Sequence, residues 1–324
     1  MSVFTPVDTD QALTFLGELI LDEARPSADL GLEAIEEGAD NTNYCVSLGE
    51  RRLVLTLYEG RSVDDAAFVV ALHAHLHGSK VPVPAPIARR DGHLVGTLAG
   101  RPAAVFEALP GTSVTVPSAA QLSALGHALA EFHIAARTFG RTRAPERGPA
   151  WWRGALEELA PELSTPQRER LREELRFQDL YRGADLPRGI IHGDLFRDNV
   201  LFQGETLSGV LDLTFAGAER WLFDLAVTTN DWCVNPDHSL DADRVETLLT
   251  AYHRRRPLTP LERGAWPVML RAAALRFWLS RLFDAHRPRP GQVVTRRDPA
   301  PFAALLDNHI RHFDDHQRLW VASS

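Results

Sequence analysis

The sequence predicts an α+β protein in two lobes: a small, mostly-β N-terminal lobe over residues 1–106 and a larger, mainly helical C-terminal lobe over 112–324. Three observations carry that expectation. Strand-like runs alternate with turns through the first hundred residues, and NYCVSLG and RRLVLTLYEG show the period-two pattern of half-buried strands. Behind Pro110-Gly111, capping boxes and helical stripes of leucine take over. The 324 residues, 44% hydrophobic and 24% charged, suffice for one large or two ordinary domains with cores of their own.

Along the chain, NYCVSLG and RRLVLTLYEG flank Leu48-Gly49-Glu50 and read as a hairpin. Residues 63–77 read as a helix ending at Gly78, followed by the extended VPVPAPIA. A second hairpin is expected around Asp91-Gly92, giving a strand at 93–97 and then PAAVFEALPG, whose residues 107–111 form a short hinge. Ser118 and Gln121 form a capping box before a helix with Leu122, Leu125, Leu129 and Phe132 on one face. Thr165-Pro166 and Thr259-Pro260 each place an N-cap before proline, and Glu262 completes a second box. The helix LRAAALRFWLSRLF (270–283) is apolar almost all round, so it should be buried.

Composition narrows the function. A net charge of −8 argues against a nucleic-acid partner, which needs phosphate-neutralising patches. No apolar run approaches membrane-spanning length, and MSVFTPVDTD lacks the regions of a signal peptide. Cys45 and Cys233 have no paired spacing, which suits a reducing cytoplasm and excludes a cysteine metal site. Lys80 is the sole lysine among 35 basic residues, so nearly every positive side chain is a guanidinium.

The stretch IIHGDLFRDNVLF (190–202) sets His192, Asp194, Asp198 and Asn199 between two strand-like runs. Polar groups so placed must be satisfied by one another, by a ligand or by a metal. QGETLSG reads as a tight turn that returns the chain to Asp212, placing Asn199 and Asp212 at neighbouring positions. An amide oxygen and a carboxylate suit Mg²⁺, with phosphate oxygens completing its shell. Asp194 is placed to accept a proton from an attacking hydroxyl. Together these are the requirements of phosphoryl transfer. Any one of them alone reads more plainly as a turn cap or strand end. His192 reads as a packed residue that shapes the loop. A zinc or manganese hydrolase needs more histidine than the distant His133 and His238 supply.

At these residues the sequence resembles the protein-kinase-like phosphotransferases that act on small molecules, including aminoglycoside and choline kinases. The resemblance implies ATP and Mg²⁺ as cofactors, Asp194 as the catalytic aspartate and Asn199 and Asp212 as metal ligands. It implies that Asp224 in WLFDLA holds the catalytic loop, and that the N-terminal lobe binds nucleotide. Phe106-Glu107-Ala108-Leu109 then hydrogen-bond adenine through backbone groups. One departure stands out. Kinases of this fold hold the phosphates with a β-lobe lysine paired to a helix glutamate. Here Thr56 occupies the lysine position, Lys80 lies in the loop before VPVPAP, and the helix at 63–77 has no glutamate. Losing both is coherent, since a buried glutamate without its lysine is costly. EEGADNTNY (36–44) offers Gly38, Asn41, Thr42 and Asn43 as replacement donors. The intact base and metal positions favour an active enzyme over an inactive nucleotide-binding regulator.

SVFTPV, NTNY, VLTLYE, VPVPAP, HGDLFRDNVLF, DLAVTTNDWC and LRAAALRFWLSRL together resemble the bacterial homoserine kinases of this fold, over nearly the whole chain. That resemblance implies ATP-dependent phosphorylation of L-homoserine to O-phospho-L-homoserine, the step before threonine synthase. Such a substrate needs a cationic fork for its carboxylate and oxygens for its ammonium. Arg271, Arg276 and Arg281 lie on the buried helix; Arg276 or Arg281 is the candidate for the carboxylate, against internal pairing with Asp231, Asp224 or Asp284. Asp231 is the candidate for the ammonium, and Arg197 for the γ-phosphate unless it pairs with Asp198. Trp232 and Trp278 either wall the pocket or belong to the core, and Trp151-Trp152 reads as packing. The runner-up substrates are another small amino alcohol or an aminoglycoside. The sequence specifies no oligomeric state.

Overall fold

Asp8 opens the first helix, α1 (Thr9–Gly17), by accepting from Gln11 N while the Gln11 side chain accepts from Asp8 N. A computed structural model describes residues 5–20, 30–35, 40–183, 185–287 and 297–320, which form two units that meet in sequence between Leu109 and Pro110. The first carries an antiparallel sheet of five strands, β1 (Gly31–Ala34), β2 (Thr42–Leu48), β3 (Arg51–Leu57), β4 (Gly96–Leu98) and β5 (Arg101–Glu107), in the order β1-β2-β3-β5-β4. Alternation along β2 turns Tyr44, Val46 and Leu48 inward, where they join Leu53, Leu55 and Leu57 of β3, Val105 of β5, and Phe15 and Leu16 of α1. The expected hairpin at Leu48-Gly49-Glu50 is present, with Gly49 at φ +59°. Helix α2 (Val63–Gly78) begins at Ser62, whose hydroxyl accepts from Asp65 N.

The hairpin expected at Asp91-Gly92 lies elsewhere. Gly92 N donates to Arg89 O, Arg89 N to His93 O, and the Asp91 carboxylate accepts from His93 N, so this turn satisfies itself locally. The strand runs over 96–98 instead of 93–97, and its hairpin turns at Ala99-Gly100, both at positive φ. α1 was not expected from the sequence, although Asp8 and Gln11 spell a capping box like those at Ser118 and Thr259.

The second unit comprises α3 (Ala119–Ala136), α4 (Pro149–Leu159), α5 (Thr165–Tyr181), β6 (Arg188–Ile191), β7 (Val200–Gln203), β8 (Thr206–Val210), β9 (Gly217–Arg220), α6 (Trp221–Trp232), α7 (Ala242–Arg255), α8 (Pro260–His286), α9 (Ala300–Arg311) and α10 (Phe313–His316). The strands pair antiparallel as β6 with β9 and β7 with β8. The capping boxes at Ser118 and Thr259 form as expected. α5 is capped one residue earlier than expected, by Ser164, because Gln167 lies three residues on to complete its box. α3 crosses α7 at Gly126, where a Cβ would stand 2.5 Å from Leu248 O, so only glycine lets the backbones approach. α6 is buried from Trp221 through Asn230, and α8 is buried over most of its 27 residues. No helix among the described residues is long and apolar enough to cross a membrane.

Candidate active site

The loop after β6 is fixed by hydrogen bonds from helices behind it. Asp224 of α6, fully buried, accepts from His192 N and Gly193 N, both at 2.8 Å. His133 of α3 donates Nε2–H to the same carboxylate at 2.9 Å, and its Nδ1 accepts from the Tyr252 hydroxyl of α7 at 2.7 Å. Burial alone would raise the Asp224 carboxyl, yet these donors hold it below the usual carboxylate range. Burial pushes His133 and His192 down, so both imidazoles stay neutral. His192 donates Nε2–H to Leu211 O and accepts from Asp194 N at Nδ1, shaping the loop. Gly193 sits at φ +80° with Phe215 O only 2.9 Å from where a Cβ would be, which forces the tight path. His133, distant from the cluster in sequence, is brought against it by the fold, a role its position in the sequence did not announce. A signal of its burial was present: it lies four residues after Leu129 on the buried face of α3, and a buried histidine needs a partner.

Asp194 is nearly buried at the end of this loop. Asn199 closes a 3-10 turn, Arg197–Asn199, and donates its Nδ2 to Asp194 O at 2.8 Å. Leu211 N donates to Asn199 O, so the β7–β8 hairpin brings Asp212 beside Asn199. Asp212 adopts the left-handed region at φ +53° and accepts from Thr214 N at 3.1 Å. A left-handed non-glycine residue is strained backbone, held here by that local bond. The donor set is one amide oxygen and one carboxylate, hard oxygens that fit Mg²⁺. Among the described residues no group of three or more His, Cys, Asp or Glu is arranged to hold a metal.

The arginines sort into different places. Arg197 donates its backbone N–H and Nε to Asp231 Oδ2, at 2.8 and 3.1 Å, and Nη1 to Thr115 O at 2.6 Å. It therefore pairs with Asp231 and not with Asp198, which binds Arg297 at 2.9 Å. Arg271 pairs with the buried Glu174. Arg276 lies with Nη1 3.6 Å from Asp194 Oδ1. Arg281 stacks on Phe302 and donates to Asp298 O at 2.8 Å. Burial lowers its affinity for its proton, with Asp231 and Asp194 opposing that effect.

Arg281, Asp231, Arg197 and Asn230 line one cavity of about 490 Å³ within the second unit. Its walls come from α6, α8 and α9, and Asn230 ties them together by donating to Leu270 O and accepting from His309 Nε2. Trp232 is core, donating Nε1–H to Leu195 O, and Trp278 is also buried. Trp152 is packed with its indole on Arg147 O.

In the first unit, Thr56 Oγ donates to Asn43 Oδ1 at 2.8 Å across the β2–β3 pair, which fills the expected lysine position with a polar bond. Asn43 lies on the sheet face opposite the core and Asn41 is buried. Thr42 turns inward, fully buried, and donates to Glu59 Oε1 at 2.8 Å, so its hydroxyl serves that contact and is no free phosphate donor. Gly38 lies outside the described residues. Glu107 N and Ala108 N donate to Ala85 O and Arg52 O.

Residues 31–258 match the phosphotransferase enzyme family. The homoserine kinase of Janthinobacterium sp. (strain Marseille) is 42% identical over 94% of this chain and 95% of its own. The homoserine kinase of Methylobacillus flagellatus is 40% identical over 99% of each chain. The solved structure of an amicoumacin kinase in complex with AMP-PNP and Ca²⁺ shares the fold at a TM-score of 0.66, with 14% identity over 95% of this chain and 94% of that one. The chain belongs to the phosphotransferase enzyme family and, within it, to the homoserine kinases.

Proposed function

We propose that the protein transfers the γ-phosphoryl group of ATP to the side-chain hydroxyl of L-homoserine. The observation that carries this is the juxtaposition of Asp194, Asn199 and Asp212 at one loop and hairpin, in a chain about 40% identical to homoserine kinases along its length. Asp194 accepts the hydroxyl proton as the new O–P bond forms. Asn199 and Asp212 would hold Mg²⁺, which when bound neutralises charge on the phosphate oxygens.

The cavity supplies the amino-acid recognition. Arg281 grips the substrate carboxylate, and Asp231, shared with Arg197, receives the ammonium. In the first unit, backbone groups of Phe106, Glu107, Ala108 and Leu109 meet adenine, the N–H groups of Glu107 and Ala108 being already bonded to Ala85 O and Arg52 O, and the loop that holds Asn41 and Asn43 meets the phosphates. The reading places the reaction in a reducing cytoplasm, on the way to threonine, consistent with two cysteines that are both free.

Phosphorus NMR of a mixture of protein, Mg·ATP and L-homoserine tests the reading. A new phosphomonoester coupled to the side-chain methylene protons should appear with ADP. It should form on the order of 10²- to 10⁴-fold more slowly with Asp194→Asn, while Mg·ATP stays bound. ADP accumulating without that phosphoester, or full activity in the variant, would contradict it.

A further inference from the structure

Arg276 of α8 is buried against the loop that presents Asp194. Its side chain is only 6% exposed, and its guanidinium lies over the Phe277 ring at 3.7 Å and the Phe215 ring at 5.0 Å. Phe215 ends the short turn that begins at Asp212, so the stacking fixes the cation relative to that turn. The recess it lines, with Gly193, Phe215 and Arg147, differs from the cavity lined by Arg281. Its Nη1 lies 3.6 Å from Oδ1 of Asp194, while the other oxygen, Oδ2, faces Asn199 Nδ2 at 3.4 Å.

Phosphoryl transfer requires positive charge where charge is spread over the equatorial oxygens. Thr56 replaces the lysine, Lys80 lies in the loop after α2, and the Arg197 guanidinium is held by Asp231 and Thr115 O. The nucleophilic hydroxyl must lie within hydrogen-bond reach of Asp194 and within bonding reach of phosphorus, so a cation beside Asp194 is a few ångströms from the group in flight. A fixed, poorly solvated guanidinium interacts more strongly there than in water.

We infer that Arg276 is a catalytic residue, whose guanidinium stabilises the charge on the transferring phosphoryl group while holding one oxygen of Asp194 in place. This rests on the kinase reading above. In the step it assists, the bond from the substrate oxygen to γ-phosphorus forms as the bond to the β,γ-bridging oxygen breaks. The bonding pair leaves with ADP, and the hydroxyl proton passes to Asp194.

Initial-rate kinetics of Arg276→Met and Arg276→Lys test it, with Arg281→Ala as the contrast. Arg276→Met should lower kcat roughly 10²- to 10³-fold. Its KM for L-homoserine should stay within about threefold of the parent, with the melting temperature and Mg·ATP affinity retained and with partial rescue by added guanidinium. Arg276→Lys should fall between the two, and Arg281→Ala should raise KM for L-homoserine instead. A rise in KM with kcat retained would make Arg276 a substrate anchor and overturn the inference. So would a kcat within about threefold of the parent, or losses in both variants matched by loss of thermal stability. If the parent phosphorylates a different alcohol, the substrate reading fails, and the same kcat-against-KM split measured on that alcohol still decides the role of Arg276.

Discussion

Three hydrogen bonds converge on the Asp224 carboxylate, and two of them come from the backbone of the loop that presents Asp194. The third comes from His133, which stays neutral because burial disfavours its charged form. His309 and His316 are held the same way: burial pushes His309 well below 6.5 and His316 down to about 4. The pH dependence follows with a definite sign. Above pH 6.5, the ordinary histidine value, neither folded nor unfolded chain protonates these rings, and the stability is fully present. As pH falls below that value the unfolded chain takes up protons that the fold refuses, and each ring costs up to about 1.4 kcal/mol per pH unit until its folded value is reached. Urea-unfolding midpoints should therefore drop between pH 7 and pH 5, and a flat midpoint over that range would contradict the neutral assignment. At this scale the proximity of Asp194, Asn199 and Asp212 was legible in the sequence, because their spacing is local. His133 showed there only as a histidine distant from the cluster, because its partners Asp224 and Tyr252 lie far off in sequence.

α8 shows what an element adds. Its apolar surface announced burial, and Arg271, Arg276 and Arg281 announced partners, but the register that sends each of these three to a different neighbour is set by the helices packed around it. Arg271 meets Glu174 of α5, Arg276 meets Asp194 of the loop, and Arg281 reaches the cavity and Asp298 O. The Arg271–Glu174 pair is buried, with Gln178 also donating to Glu174 at 2.8 Å. Glu174→Ala strands the guanidinium and should cost about 3–5 kcal/mol in urea unfolding. A loss under about 1 kcal/mol would mean that Arg271 finds water instead. Local signals elsewhere competed and only one could win. Ser164 and Thr165 are both good caps, and Gln167 decided for Ser164; Asp91-Gly92 and Ala99-Gly100 are both turns, and the Asx bond at Asp91 left the hairpin to Ala99-Gly100.

For the molecule as a whole, the order of a β-rich first unit and a helical second unit was legible because strand and helix periodicities differ. The identity of the chemistry was legible because its carboxylates and amide sit on one loop and one hairpin. The cavity proposed for the substrate was not, since its lining comes from residues between Thr115 and Leu305 that only folding gathers. Thr42 shows the same limit in reverse: it read as a phosphate donor, and the pleat of β2 turned it into the core against Glu59. The deciding measurement is ADP release by the purified protein with Mg·ATP, comparing L-homoserine with L-serine, L-threonine, choline and kanamycin. A kcat/KM for L-homoserine well above every other acceptor is the expected result. Preference for choline or kanamycin would keep the phosphotransferase and overturn the substrate, and nucleotide binding with no turnover on any acceptor would contradict the catalytic reading itself.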